Sequence, residues 1–287
     1  MDRRKRLSHY AVVPGKAKRI ARLEKLIGLA MNAAAYDLAQ PYFIGMPHHP
    51  AHPPFLFSLV KQHGEYVGPM GNSSASDAIA MGSHVGTHMD ALCHFSCGGK
   101  FFDGKEIVQS YAGGVREYSI DTIAPILRRG VLLDIARLEN TGALPPDFEV
   151  TPSHLDSAVK AQGVEIQEGD IVLLRTGWAK YFRDPAKFIS QVTGPGPAID
   201  GAKWFSSRKV YAVGSDTVAF EKVPDASMPV HVHLLVESGI HIIECLNLEA
   251  LADAKAPEFL FIALPLKIEG ATGSPVRPIA LVQSKIR

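Results

Sequence analysis

Apolar positions along the chain alternate between short β-rich runs and stretches with helical spacing. The runs Gly130–Ile135 and Asp170–Arg175 are almost continuously apolar and predict buried strands. Thr151–Gly163 has a capping Thr, a Pro in the first turn and a Gly after the last turn, which are the signals that begin and end a helix. Pro229–Gly239 has the same start and stop signals. Strands and helices mixed along the chain favour an α/β domain.

Later segments extend this pattern. Ile240–Glu244, Phe259–Leu264 and Val276–Val282 are further strand candidates, and a Gly-rich turn at 269–274 joins the last two. Gln40–Phe57 is rich in Pro and His and predicts an irregular loop. We expect the three histidines of this loop, His48, His49 and His52, to lie at the surface. The alternative position for one of them is the mouth of a pocket.

The first 30 residues form a distinct basic segment. Apolar residues at helical spacing predict a short amphipathic helix from about Lys16 to Met31. Residues 1–25 carry a charge of +7, whereas the other 262 residues carry −6. We interpret residues 1–30 as a basic arm that packs on the domain or on a neighbouring subunit, and residues 31–287 as the domain itself. Phosphate or membrane binding by the arm would rest on charge alone.

Composition narrows the classes of protein. With 46% hydrophobic and 21% charged residues, the chain can build a core and is not disordered throughout. A net charge of +1 argues against nucleic-acid binding by the whole surface. The sequence contains no apolar run of 18 residues, so no membrane-spanning helix is expected. Three cysteines cannot form a disulfide framework, and their odd number favours a reducing, cytoplasmic location.

Residues 82–95 contain the strongest candidates for a functional site, because three histidines and an aspartate fall within eleven positions. Imidazole and carboxylate groups bind Zn²⁺ and Mn²⁺. An extended chain would separate His84 from Asp90 by about 20 Å, whereas ligand atoms must converge to about 2 Å from an ion. The chain must therefore bend, and Gly86 permits this. With His88 and His94 included, the spacing indicates either a metal site or a hydrogen-bonded polar cluster.

A second polar pair lies far along the chain. His231 shares a helical face with Leu234 and Leu235, whereas His233 should face water. Taken alone, His231 is expected to be a buried, hydrogen-bonded core histidine. Glu244 has inward parity on its predicted strand, and a lone inward carboxylate is costly unless it is paired or bound to a metal.

The pattern His84-x-Gly-Thr-His88-x-Asp90-x-x-x-His94-Phe95 resembles the signature of the cyclase family of metal-dependent hydrolases, which includes bacterial kynurenine formamidase and isatin hydrolase. The resemblance runs from about Tyr36 to the C-terminus. It is carried by further motifs along the chain: Gly169–Trp178, Gly214–Thr217, Pro229–Leu235, Gly239–Leu246, Leu264–Leu266 and Gly273–Arg277.

The resemblance implies a role for each motif residue. His84, His88 and Asp90 would bind a first divalent ion, and Asp90 would be shared with a second ion held by His231 and Glu244. His94 would be the acid/base residue, with Glu244 as the other candidate for proton transfer. The implied cofactor is Zn²⁺ or Mn²⁺, as one or two ions. No nucleotide cofactor is expected, since the chain lacks Gly-x-Gly-x-x-Gly and phosphate loops.

The resemblance also implies a swivelling β/β/α fold, with a central β-structure flanked by helices, and assembly as a homodimer or homotetramer. The implied activity is that of a metal-dependent amide hydrolase, which cleaves a C–N bond of a small aromatic or cyclic amide through a metal-activated water. A lactonase or a dehydrating cyclase on the same site is an alternative, as is a non-catalytic metal-dependent ligand-binding protein. Six aromatic residues are available for a substrate pocket, although for each of them the core is the favoured position: Phe43, Phe55, Phe57, Phe95, Trp178 and Trp204.

Overall fold

The computed structural model of the protein describes residue 28 and residues 31–283. Apart from residues 28 and 31, the predicted basic arm and its helix lie outside the described residues. Within the described part, no helix is long and apolar enough to span a membrane.

Short strands dominate the described residues. They are, in chain order, β1 (Ala33–Asp37), β2 (Leu56–Lys61), β3 (Ser76–Ala80), β4 (His88–Asp90), β5 (Gln109–Ser110), β6 (Gly114–Val115), β7 (Ile126–Asp134), β8 (Glu149–Val150), β9 (Ile171–Arg175), β10 (Gly196–Pro197), β11 (Ala212–Ser215), β12 (His241–Glu244), β13 (Glu258–Ala263), β14 (Gly273–Pro275) and β15 (Ile279–Gln283). The α-helices are α1 (Ile135–Leu138), α2 (Pro152–Gln162), α3 (Pro185–Ile189), α4 (Ile199–Ser207), α5 (Pro229–His231) and α6 (Glu249–Asp253). A π-helix, Val232–Glu237, continues α5, and 3₁₀ turns lie at Leu92–His94, Phe102–Gly104, Ile120–Thr122 and Trp178–Tyr181.

Nine strands form one mixed sheet in the order β1-β15-β13-β7-β9-β11-β12-β4-β14. The four central strands, β7, β9, β11 and β12, run parallel to one another, whereas β13 beside β7 and β4 beside β12 are antiparallel to them. Parallel strands need long crossover connections, which here carry the helices. The expected α/β fold with a central β-structure flanked by helices is therefore confirmed.

The central strands are buried on both faces, which explains their continuous apolar runs. One face of the sheet, including Leu133 and Leu174, packs with Leu155 of α2 and Phe205 of α4. The opposite face belongs to a second apolar cluster that includes Leu132, Leu173, Ile243 and Phe261. The predicted strands at 130–135 and 170–175 thus correspond to β7 and β9, and the predicted helix after Thr151 is α2.

Three segments differ from the sequence prediction. The Gly-rich turn ends in β14 because Gly273 pairs with Asp90 on β4, and the last strand therefore begins only at Ile279. The helix predicted over 229–239 is a short α-helix continued by a π-helix. The irregular loop ends where β2 begins at Leu56, and β2 pairs with β3 in a ribbon exposed on both faces.

Candidate metal centre

Two distant stretches of chain meet where β4 pairs with β12. The strands are antiparallel, and the register places His88 directly opposite Glu244 and Asp90 opposite Ile242. On its other edge β4 pairs with β14, whose Gly273 lies opposite Asp90. A β-carbon at position 273 would lie 2.5 Å from Cε1 of His84, so only glycine leaves room for that ring.

The first ligand group comes from the motif before and within β4. Nδ1 of His84 lies 2.7 Å from Oδ1 of Asp90, and Nε2 of His88 lies 3.5 Å from the same oxygen. The turn between the histidines uses Gly86, which has a φ of 66°. The Nδ1–H of His88 donates to the carbonyl oxygen of Gly86 at 2.8 Å, so its Nε2 is the nitrogen that faces the carboxylates. All three side chains are buried.

The second group shares Asp90 with the first. Nε2 of His231, at the end of α5, lies 3.3 Å from Oε1 of Glu244 and 3.9 Å from Oδ2 of Asp90. Nε2 of His88 lies 3.4 Å from the other carboxylate oxygen of Glu244. Within each group the potential ligand atoms all lie within 4.8 Å of one another. The five predicted metal ligands therefore surround one buried space.

The buried carboxylates of this space favour a bound cation. Among the described residues, Oδ2 of Asp90 is buried without a hydrogen-bond partner, and Asp90 and Glu244 form ion pairs with imidazoles only. Although burial opposes ionisation, the surrounding histidines hold the pKa of Asp90 well below its ordinary value. Burial likewise opposes ionisation of Glu244, but hydrogen bonds with His231 and His88 lower its pKa to about 2. Three imidazoles and two carboxylates suit Zn²⁺ or Mn²⁺, so these residues fit a divalent metal.

His94 lies beside the ligands in the 3₁₀ turn after β4. Its ring stacks on that of His84 with centroids 3.8 Å apart, and its centroid lies 6.3 Å from that of His231. The ring is half-buried and makes no hydrogen bond with any residue in the described ranges. Burial lowers the pKa of His94 to about 3, so its imidazole is neutral near pH 7. A neutral ring with free nitrogens can accept a proton from a bound reactant.

The opening loop folds over the site. The His52 ring stacks on His84 with centroids 5.0 Å apart, and His49 lies 5.8 Å from His52. The backbone N–H of Gly82 donates to the carbonyl oxygen of Pro53 at 3.1 Å, which ties the loop to the motif. His49 and His52 are therefore half-buried at the mouth of the site and not simply surface residues.

Only one of the six aromatic candidates has ring contacts with the metal centre in the described part of the chain. Phe95 lies 5.0 Å from His94 and 4.9 Å from His231, measured between ring centroids. Trp178 and Trp204 are core residues. The other three line a separate apolar cavity of about 490 Å³: Phe43, Phe55 and Phe57.

Three supporting residues were missed by sequence reasoning. Oγ1 of Thr272 lies 2.9 Å from Nε2 of His84, and Nδ1 of His241 lies 3.0 Å from the Asp90 carbonyl oxygen. Glu221 accepts a hydrogen bond from Nδ1–H of His231, on the side of the ring away from the metal centre. His241 has the opposite parity to Glu244 on β12, so alternation along the strand does not mark it as a site residue. No pattern in the sequence marks Thr272 or Glu221, because only the folded chain brings them to the site.

Comparison with known proteins agrees with this geometry. A family model described as "Putative cyclase" matches residues 36–222. The chain belongs to the cyclase family. An isatin hydrolase from Roseibium aggregatum is 32% identical over 213 residues, which are 71% of this chain and 73% of that protein. A kynurenine formamidase from Bacillus cereus is 28% identical over 250 residues, 85% of this chain and 95% of the relative.

The fold comparison gives the same assignment. A crystal structure of a novel cyclase superposes with a TM-score of 0.81 at 29% identity, and the match covers 94% of this chain and 92% of that one. This cyclase-family chain is accordingly a hydrolase. The fold places the His/Asp/Glu group at the junction of β4 and β12.

Proposed function

We propose that this cyclase-family protein is a metal-dependent amide hydrolase that cleaves a C–N bond of a small aromatic or cyclic amide. The observation that carries the proposal is the convergence of five candidate metal-ligand side chains, with Oδ2 of Asp90 and the imidazole of His94 lacking hydrogen-bond partners among the described residues. Relatives named isatin hydrolase and kynurenine formamidase support an amide as the substrate.

The proposed ligands are the two groups that share Asp90, and they would hold one or two ions of Zn²⁺ or Mn²⁺. A divalent ion supplies a water of lowered pKa, near 7, and polarises a carbonyl oxygen. Ionised Asp90 and Glu244 keep the site anionic, so that it attracts the cation and orients it beside His94.

His94 is better placed than Glu244 to transfer the proton. One oxygen of Glu244 accepts the backbone N–H of Phe220 at 2.7 Å, and both oxygens face ligand imidazoles, so this carboxylate is held as a ligand. The His94 ring has neither restraint. It would take the proton of the attacking water and return it to the leaving nitrogen of the amide, while Phe95 would shield this face of the site from solvent.

The test is elemental analysis of the purified protein, followed by assays with an aryl formamide, a cyclic aryl amide and an aryl lactone. We expect bound Zn²⁺ or Mn²⁺, loss of activity with a chelator, recovery with added metal, and turnover of at least one amide. Turnover of the lactone alone would replace the proposal with a lactonase. Tight metal binding without turnover of any of the three would favour a ligand-binding protein.

A further inference from the structure

Glu221 lies behind His231, on the side of the ring opposite the metal centre. One carboxylate oxygen accepts two hydrogen bonds from the same residue, from Nδ1–H of His231 at 2.7 Å and from its backbone N–H at 2.8 Å. The side chain is fully buried, and its second oxygen, Oε2, has no partner among the described residues. Glu221 is not part of the cyclase-family motif that identifies the ligands.

These two bonds fix both the position and the tautomer of His231. The backbone bond satisfies an N–H in the first turn of α5, which has no partner within its helix. The ring bond keeps hydrogen on Nδ1, so Nε2 is the nitrogen left to bind a metal. Nε2 is the atom that faces Oε1 of Glu244 and Oδ2 of Asp90. Glu221 therefore aims Nε2 of His231 at the space between two carboxylates.

The charges around this space also favour a second metal ion. Asp90, Glu221 and Glu244 are three buried acids, and in the described part of the chain their ion-pair partners are all imidazoles. Histidine ligands are neutral when they bind a metal. Three carboxylates carry more negative charge than one divalent ion neutralises, so the arrangement favours a second ion next to His231.

We infer that Glu221 is a positioning residue that prepares His231 to bind a second divalent ion, together with Asp90 and Glu244. This inference rests on the proposed function, because it requires that the protein bind a metal at all. It assigns no contact between Glu221 and the substrate. Glu221 acts through the orientation of one imidazole.

The experiment measures metal binding, not turnover. Metal-free full-length protein is titrated with Zn²⁺ against a competing chelator, and the bound ions per chain are counted by elemental analysis. The variants are Glu221→Ala, Glu221→Gln and, as a matched control, Asp216→Asn. Asp216 is also a fully buried carboxylate that accepts backbone N–H bonds, from Thr176 and Gly177, but it does not contact the candidate ligands.

We expect two ions in the wild type and a second ion that binds about 10–100-fold more weakly in Glu221→Ala. The first ion, on His84, His88 and Asp90, should keep its affinity. Glu221→Gln should bind the second ion with intermediate affinity, because its amide oxygen can still accept Nδ1–H. Asp216→Asn should lower the melting temperature and leave both affinities unchanged. With Co²⁺ as the probe, only the Glu221 variants should change the visible absorption of the second ion.

Other outcomes would separate the two proposals. A wild-type protein that binds no Zn²⁺ would overturn the proposed function, and this inference with it. A wild type with one ion only, or Glu221 variants with both affinities unchanged, would overturn the inference and leave the hydrolase proposal intact. If Glu221→Ala does not fold, the Glu221→Gln titration decides alone.

Discussion

Replacement of His94 by alanine tests the proposed proton transfer. The ring makes no hydrogen bond within the described part of the chain and is half-buried, so His94→Ala leaves no buried polar group without its partner. Its contacts are with the rings of His84 and Phe95. The variant should therefore fold and keep its metal. A general acid–base residue typically contributes about 10²–10⁴-fold to the rate, which corresponds to about 3–5 kcal/mol of activation free energy.

The assay compares kcat and KM for the best amide of the substrate panel, together with metal content and melting temperature. We expect kcat of His94→Ala to fall by about 10²–10⁴-fold, with both ions retained. His233→Ala is the matched control, because His233 is a nearby histidine whose ring pairs with Glu237 at 2.6 Å and turns away from the metal centre. That control should leave kcat unchanged.

Two results would refute the reasoning. If His94→Ala keeps the wild-type kcat, the proton is transferred by another group, and Glu244 becomes the remaining candidate. If instead the variant loses metal in proportion to its activity, His94 is a ligand and not an acid/base residue. Equal losses in His94→Ala and His233→Ala would indicate a general effect on the fold.

Three further predictions follow from the same geometry. Asp90→Asn should abolish both metal binding and turnover, since Asp90 belongs to both ligand groups; full metal content by elemental analysis would contradict this. Gly273→Ala should displace the His84 ring and lower the affinity for the first ion, measured by chelator competition, while the circular dichroism spectrum stays native. Burial lowers the pKa of His241 to about 4, so the unfolded chain, with a histidine pKa near 6.5, takes up its proton first as the pH falls. Stability should therefore decrease below about pH 6.5, by about 2 kcal/mol at pH 5, and denaturant titrations of His241→Gln should lack this part of the loss.

The parts of the fold that could be predicted are those with a strong local signal. β7 and β9 are apolar on both faces because helices and loops cover both sides of the sheet, so each gives a continuous run in the sequence. α2 begins and ends with residues whose caps are formed in the structure, at Thr151 and Gly163. Such elements depend mainly on their own residues.

β4 and β14 could not be predicted in this way. Each has three residues, and their sequences, His-Met-Asp and Gly-Ser-Pro, have little strand propensity. They are strands because they pair with each other and because β4 completes the sheet beside β12. The pairing is a tertiary contact between residues about 150–185 positions apart, and no local pattern reports it.

The same distinction applies to the candidate site. Residues within one segment, such as His84, His88 and Asp90, could be grouped from their spacing, whereas His231 and Glu244 needed parity and family resemblance to be joined to them. His52 and Glu221 were not assigned to the site, because their positions depend on how a loop closes over the motif and how α5 meets the preceding chain. Supporting residues are therefore harder to predict than ligands.

The register between two strands determines how precisely the candidate ligands are placed. His88 and Glu244 face each other because of the register between β4 and β12. A slip of one residue would turn Glu244 to the opposite face of the sheet, next to the apolar cluster that contains Met89. The apolar residues that alternate with the ligands therefore select the register, and the register in turn selects the geometry of the ligands. The pairing of β4 with β12 thus also brings the candidate ligands together.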